Sequence, residues 1–115
     1  MAVVDEMFAT NFFNHNPAAR TTPDREGIKQ LISMMRNAFL DYHNVIEDLI
    51  AEGDRVAVRV ICRGTHRAEF MGIAPTGKSV EFSAVSIFRF VDGKVVERWN
   101  ITDNLVLLQQ LRGQS

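Results

Sequence analysis

"SVEFSAVSIFRFVDGKVVERWNI", residues 79–101, decides the fold. Its even-numbered residues Val80, Phe82, Ala84, Ser86, Phe88 and Phe90 form a nearly apolar row. On the other parity Glu81, Ser83 and Arg89 alternate with Val85 and Ile87. A repeat of two is the signature of a β-strand with distinct faces. "VDG" then supplies the glycine that a tight hairpin needs, and "KVVERWNI" runs back. Upstream, "NVIEDLIAE" and "RVAVRVICRGTH" keep the same period and are set off by "EGD" and "MGIAPTG". Val56, Val58, Val60 and Cys62 share one face of the second of these, and Arg55, Arg59 and Arg63 the other. Four strands joined this closely predict an antiparallel meander.

The flanking segments have helical spacing. Val3, Val4, Met7 and Phe8 predict a short helix within residues 2–11, followed by a loop in "FFNHNPAARTTP". Ile28, Leu31, Ile32, Met35, Phe39 and Tyr42 predict a longer helix that opens at Thr22-Pro23-Asp24. Gly27 inside it should cost about 1 kcal/mol relative to alanine. Leu105, Leu108 and Leu111 predict a last helix, opened by Thr102 or Asp103 and ended by Gly113. Helices at both ends of a run of strands indicate an α+β domain, a curved antiparallel sheet with helices packed on one face.

Composition narrows the function. With 115 residues, 46% of them hydrophobic, the chain is long enough for one core, so residues 1–115 read as a single domain. The net charge of −1 comes without a cluster of Lys and Arg, which argues against a nucleic-acid partner. Cys62 is the only cysteine, so an intrachain disulfide or cysteine-based metal cluster is excluded. No signal peptide and no apolar stretch of membrane-spanning length is evident, and a cytoplasmic location is expected. Dinucleotide, P-loop, nucleophile-elbow and zincin motifs are missing.

Candidate site residues follow from strand parity. If the even face looks inward, His66 ends the Val56–Cys62 row, Ser86 interrupts the Phe82–Phe90 row, and Val96, Arg98 and Asn100 form the inner row of the last strand. Apolar walls with a few convergent polar groups describe a small-molecule pocket. Local satisfaction by backbone partners is the alternative for each. Asp103 has two readings: a general acid or base raised in pKa by an apolar setting, or a helix cap whose pKa backbone N–H groups lower. Trp99 and Ile101 share the outer parity with Val85 and Ile87, which suggests a partner surface and a homodimer through the outer sheet face. Scattered exposed apolar residues are the alternative there.

"THRAEFMGIAPTGKSVEFSAVSIFRFVDGKVVERWNITDNLVLLQQL" resembles the SnoaL-like polyketide cyclase family. The resemblance extends over nearly the whole chain, with "FFNHNP" matching the loop after an early helix. It implies a cone-shaped α+β barrel of the nuclear transport factor 2-like, cystatin-like kind around a hydrophobic cavity. It also implies ring closure by intramolecular aldol condensation, with an aspartate as acid/base and no cofactor or metal. Aligned through "DGK", that aspartate falls on Asn100, and a histidine of the cyclases falls on Ser86. His66 matches the histidine of "GTH", and Asp103 a further acidic position. The family's usual additional N-terminal helix has no counterpart here, which implies a more open pocket or one covered by a dimer partner.

Two kinds of function are therefore expected. One is a cofactor-independent cyclase- or isomerase-like enzyme on an apolar carbonyl compound, with Asp103 or His66 moving the proton. Asn100, Arg98, His15, Ser86 and Trp99 would then bind the ligand. The other is a non-catalytic ligand-binding or dimeric interaction domain of the same fold.

Overall fold

A computed structural model describes residues 2–113. In chain order the elements are α1 (Ala2–Met7), β1 (Phe8–Asn14), α2 (Arg25–Ala38), β2 (Phe39–Glu52), β3 (Arg55–His66), β4 (Ser79–Val91), β5 (Lys94–Thr102) and α3 (Asn104–Leu111). One sheet has the order β1-β5-β4-β3-β2. The meander β2–β5 is antiparallel, with tight turns between β2 and β3 and between β4 and β5 and a longer connection between β3 and β4, and β1 adds a fifth strand parallel to β5. The α+β class is as expected.

β1 corrects the expected loop. Helical spacing holds only as far as Met7, and a short apolar run cannot distinguish helix from strand by period alone. Phe12 is buried and meets Phe8 edge-on at 4.9 Å, the two rings packing in a cluster with Val4, Ile28 and Val95.

α2 differs from expectation at both ends. Asp24, rather than Thr22, caps it, accepting from the Gly27 N–H at 3.0 Å. The Thr22 hydroxyl donates to the same Asp24 carboxylate at 2.5 Å, and this bond first, then the Gly27 N–H, lowers the Asp24 pKa. Gly27 carries more than a propensity penalty. A Cβ there would lie 1.7 Å from the Thr22 carbonyl oxygen, so the approach of the preceding loop depends on glycine. At its C-terminal end α2 stops at Ala38. Phe39 and Tyr42 belong to β2, where Asp41 takes a φ of 58° and the register with β3 shifts between Leu40 and His43. That bulge turns two residues three apart toward the same interior, which imitates a helical stripe.

α3 starts as expected and presents a different face. Asp103 caps it by accepting from the Val106 N–H at 3.2 Å. Leu107 and Leu111 are buried, while Leu105 is 68% exposed. These two leucines lie four apart on one face, against the Val80, Phe82 and Ala84 end of β4.

The core is divided. One cluster holds Met35, Ala38, Phe39, Cys62, Phe70, Val80, Phe82, Ala84, Leu107 and Leu111. The other holds Val4, Phe12, Ile28 and Val95, with Phe88 and Phe90 packed against it. Along the inner row of β4 the first ends at Ala84 and the second begins at Phe88. Ser86 stands between them.

Candidate functional site

The seam between the two clusters is polar because of β5. In register with β4, Asn100 stands opposite Ser86 and Arg98 opposite Phe88, so both point to the inner face. The Arg98 Nη2 donates to the Ser86 Oγ at 3.4 Å, Ser86 donates to the Asn100 Oδ1 at 2.7 Å, and the Asn100 Nδ2 donates to the Thr102 Oγ1 at 2.9 Å. The donors thus run in one direction, from the guanidinium outward. Burial lowers the Arg98 pKa. Tyr42 lies near the Cys62 thiol and the Asn44 side chain. Burial first, then Cys62, raises its pKa, so the phenol stays neutral. Burial also raises the Cys62 pKa. Val56, Val58, Val60 and Phe88, all half-buried, flank this group on the inner face.

Two side chains that the sequence did not place in the site complete the seam: Asn16, and Thr102, expected only as a possible opener of α3. Asn16 accepts the Asn100 backbone N–H on its Oδ1 at 3.0 Å, tying the loop after β1 to the site. Thr102 ends the polar row. The Asn-rich "NHN" was a usable signal for Asn16, since such side chains readily bond backbone groups in loops.

His66 is elsewhere. It is 1% exposed, and its Nδ1 accepts the Thr76 N–H at 3.1 Å, which puts the ring proton on Nε2. That Nε2 is buried without a partner among the described residues, and the ring lies 5.5 Å from that of Phe39. Its main-chain groups also hold the loop that follows, through Lys78 and Gly77. Arg98 is in line with Phe88 and Val56, ten residues from His66 along β3, a contour of roughly 33 Å. No hydrogen bond joins His66 to the Arg98 group, and neither lines the depressions described below.

His15 and Trp99 are on the opposite face. The two rings stack at 4.6 Å, and the His15 Nε2 is 2.7 Å from the Glu97 Oε2. Arg89 also pairs with Glu97, and the Arg55 guanidinium lies 4.9 Å from the Trp99 ring centre. His15 first, then Arg89, lowers the Glu97 pKa. Val85, Ile87 and Ile101 are exposed beside them. Asp103, the remaining candidate, is exposed, with its carboxylate at the α3 N-terminus.

Two open depressions elsewhere have other linings. The larger, about 530 Å³, lies between Asp41, His43, Arg63, Glu81 and Gln110; the smaller, about 200 Å³, between Ile50, Val58 and Val85. Among the described residues no three His, Cys, Asp or Glu side chains converge as metal ligands, and no helix is long and apolar enough to cross a membrane.

Known proteins share this architecture. IdmH from Streptomyces antibioticus, a proposed polyketide cyclase, is 35% identical, with a TM-score of 0.83 over 96% of this chain and 86% of its own. A proposed polyketide cyclase from Bacillus cereus is 32% identical, with a TM-score of 0.85 over 99% of this chain and 70% of its own. TsrD from Streptomyces laurentii is 26% identical, with a TM-score of 0.85 over 94% of this chain and 79% of its own. No curated protein sequence matches the chain. The profile of the SnoaL-like polyketide cyclases matches residues 1–111. With the five-stranded curved sheet and its helices on one face, this settles the relationship: the chain belongs to the SnoaL-like polyketide cyclase family, with the nuclear transport factor 2-like fold.

Proposed function

We propose that this protein binds a small, largely apolar carbonyl compound on the inner face of its sheet, with the Arg98 guanidinium donating to the carbonyl oxygen and Ser86 and Asn100 positioning that guanidinium. The observation that carries this reading is the seam itself. A polar chain from Arg98 to Thr102 interrupts an otherwise apolar inner face and is flanked by half-buried Val56, Val58, Val60 and Phe88. A purely structural sheet gains nothing from a guanidinium there, because burying it is costly. Binding is favoured over ring closure. Proton transfer needs a group in reach of the bound carbon, and the two candidates are occupied elsewhere: Asp103 caps α3 and His66 closes a loop.

Titration of the ¹⁵N-labelled protein with a neutral aromatic ester, methyl 2-naphthoate, tests this. Amide shifts are expected at Val56–Val60 and Ser86–Phe88. At 100-fold excess over Kd the ligand should add about 2.7 kcal/mol of stability. Shifts confined to other surfaces would refute the site. Turnover is tested separately, by ring closure of a model polyketide ester: activity in the wild type would overturn the binding reading.

The outer face favours a second copy of the chain. Exposed Val85, Ile87 and Ile101 lie among charges already paired within the chain, Arg63 with Glu81 and Arg89 with Glu97. Two such faces can meet without bringing unpaired charges together.

A further inference from the structure

The arginines of this sheet divide by face. On the outside, Arg59 pairs with Asp48, Arg63 with Glu81, and Arg89 with Glu97, while Arg55 lies over the Trp99 ring. Arg98, the one arginine in the inner row of β5, forms no ion pair among the described residues. Its one side-chain hydrogen bond is the 3.4 Å contact to the Ser86 hydroxyl and its guanidinium lies 6.0 Å from the Phe88 ring centre, so most of its five N–H donors have no partner among the described residues. The nearest polar groups cannot neutralise it. Ser86, Asn100 and Thr102 are uncharged, and Tyr42 stays a neutral phenol. The Ser86 hydroxyl proton is already committed to Asn100, so the network ends at Arg98.

From this we infer that the natural ligand is an acid, an apolar compound whose carboxylate is bound by the Arg98 guanidinium. The inference rests on the inner-face site proposed above and names the chemical class that the site takes. A planar guanidinium offers two parallel N–H groups to a carboxylate, which a neutral carbonyl oxygen cannot use as fully. The apolar body of the ligand would lie along Val56, Val58 and Phe88. The guanidinium would thereby gain the counter-charge that the chain withholds.

The test compares 2-naphthoate with methyl 2-naphthoate by calorimetric titration. In the wild type the acid should bind more tightly than the ester by on the order of 10- to 100-fold, the range of a hydrogen bond to a charged group. Arg98→Met should bring the acid-to-ester ratio to near one. Asn100→Asp should do the same by another route, because its carboxylate would share the Ser86 hydroxyl with Arg98 and neutralise it. Should Arg98→Met fail to fold, Asn100→Asp carries the same readout. Equal binding of acid and ester by the wild type overturns the inference and leaves the apolar site standing. A ratio that survives both substitutions assigns the anion to another cation and also overturns it. Binding of neither probe overturns this inference together with the site on which it rests.

Discussion

Asp103 accepts the Val106 N–H while its own backbone N–H donates to the Ser83 carbonyl at 2.9 Å, so the residue joins α3 to β4. A cap needs an acceptor oxygen; a proton-transfer group needs an ionisable one. Asp103→Asn separates the two, since asparagine caps as well as aspartate. Asp103→Asn is expected to keep the wild-type denaturation midpoint and the binding of methyl 2-naphthoate. Asp103→Ala should lose about 1 kcal/mol in urea unfolding. If Asp103→Asn folds normally and loses a wild-type catalytic turnover, the cap does not account for the residue. Position alone made the cap legible in the sequence, because a short acceptor side chain immediately precedes a leucine-patterned helix. What the sequence withheld was Arg98's isolation. Parity gave its face, while the missing counter-charge depends on which side chains the fold brings near.

At the scale of the elements, alternation was readable wherever one face of a strand is buried and the other wet. β3 and β4 therefore came out with their faces correct. β1 did not. "FATNFF" does not alternate, and its partner β5 lies more than eighty residues away and pairs in parallel, a relation no local pattern encodes. The β2 bulge failed for the opposite reason, as a left-handed Asp41 produced a spacing that belongs to helices. His15 follows β1 onto the outer face, where its bond to Glu97 gives the loop a pH dependence. The Glu97 pKa is depressed in the folded state, by His15 first and Arg89 second. Such a group stabilises the fold at pH values above its unfolded pKa, and the contribution disappears as pH falls through the depressed folded value. The stability difference between wild type and Glu97→Gln should thus be largest near neutral pH and shrink below the ordinary glutamate range. Urea midpoints at pH 7 and pH 3 in low salt would show it; a difference that grows on acidification would contradict the assignment. Added salt should weaken the effect, since the group sits at the surface.

For the molecule as a whole, the helices collect on the inner face and leave the outer face of the meander uncovered apart from the His15 loop. Ile101 is 78% exposed there, too much for it to matter to the fold of an isolated chain. Ile101→Glu is therefore expected to change stability by no more than about 0.5 kcal/mol. It should nonetheless convert a dimer to a monomer in sedimentation velocity. A wild type that sediments as a monomer at high concentration would rule out the second copy.

The division of the interior has a mechanical meaning. The two packed bodies share α2 and β4, but between them the inner face of the sheet is held by a line of hydrogen bonds and not by apolar packing. Local opening of the empty protein is expected to be easiest along Ser86 and Asn100, where the fewest apolar contacts have to be broken. A ligand lying across that line touches both halves at once and acts as a clasp. Its arrival would be felt less as a new shape than as a quieting of the molecule, and part of its affinity would be given up to that stiffening.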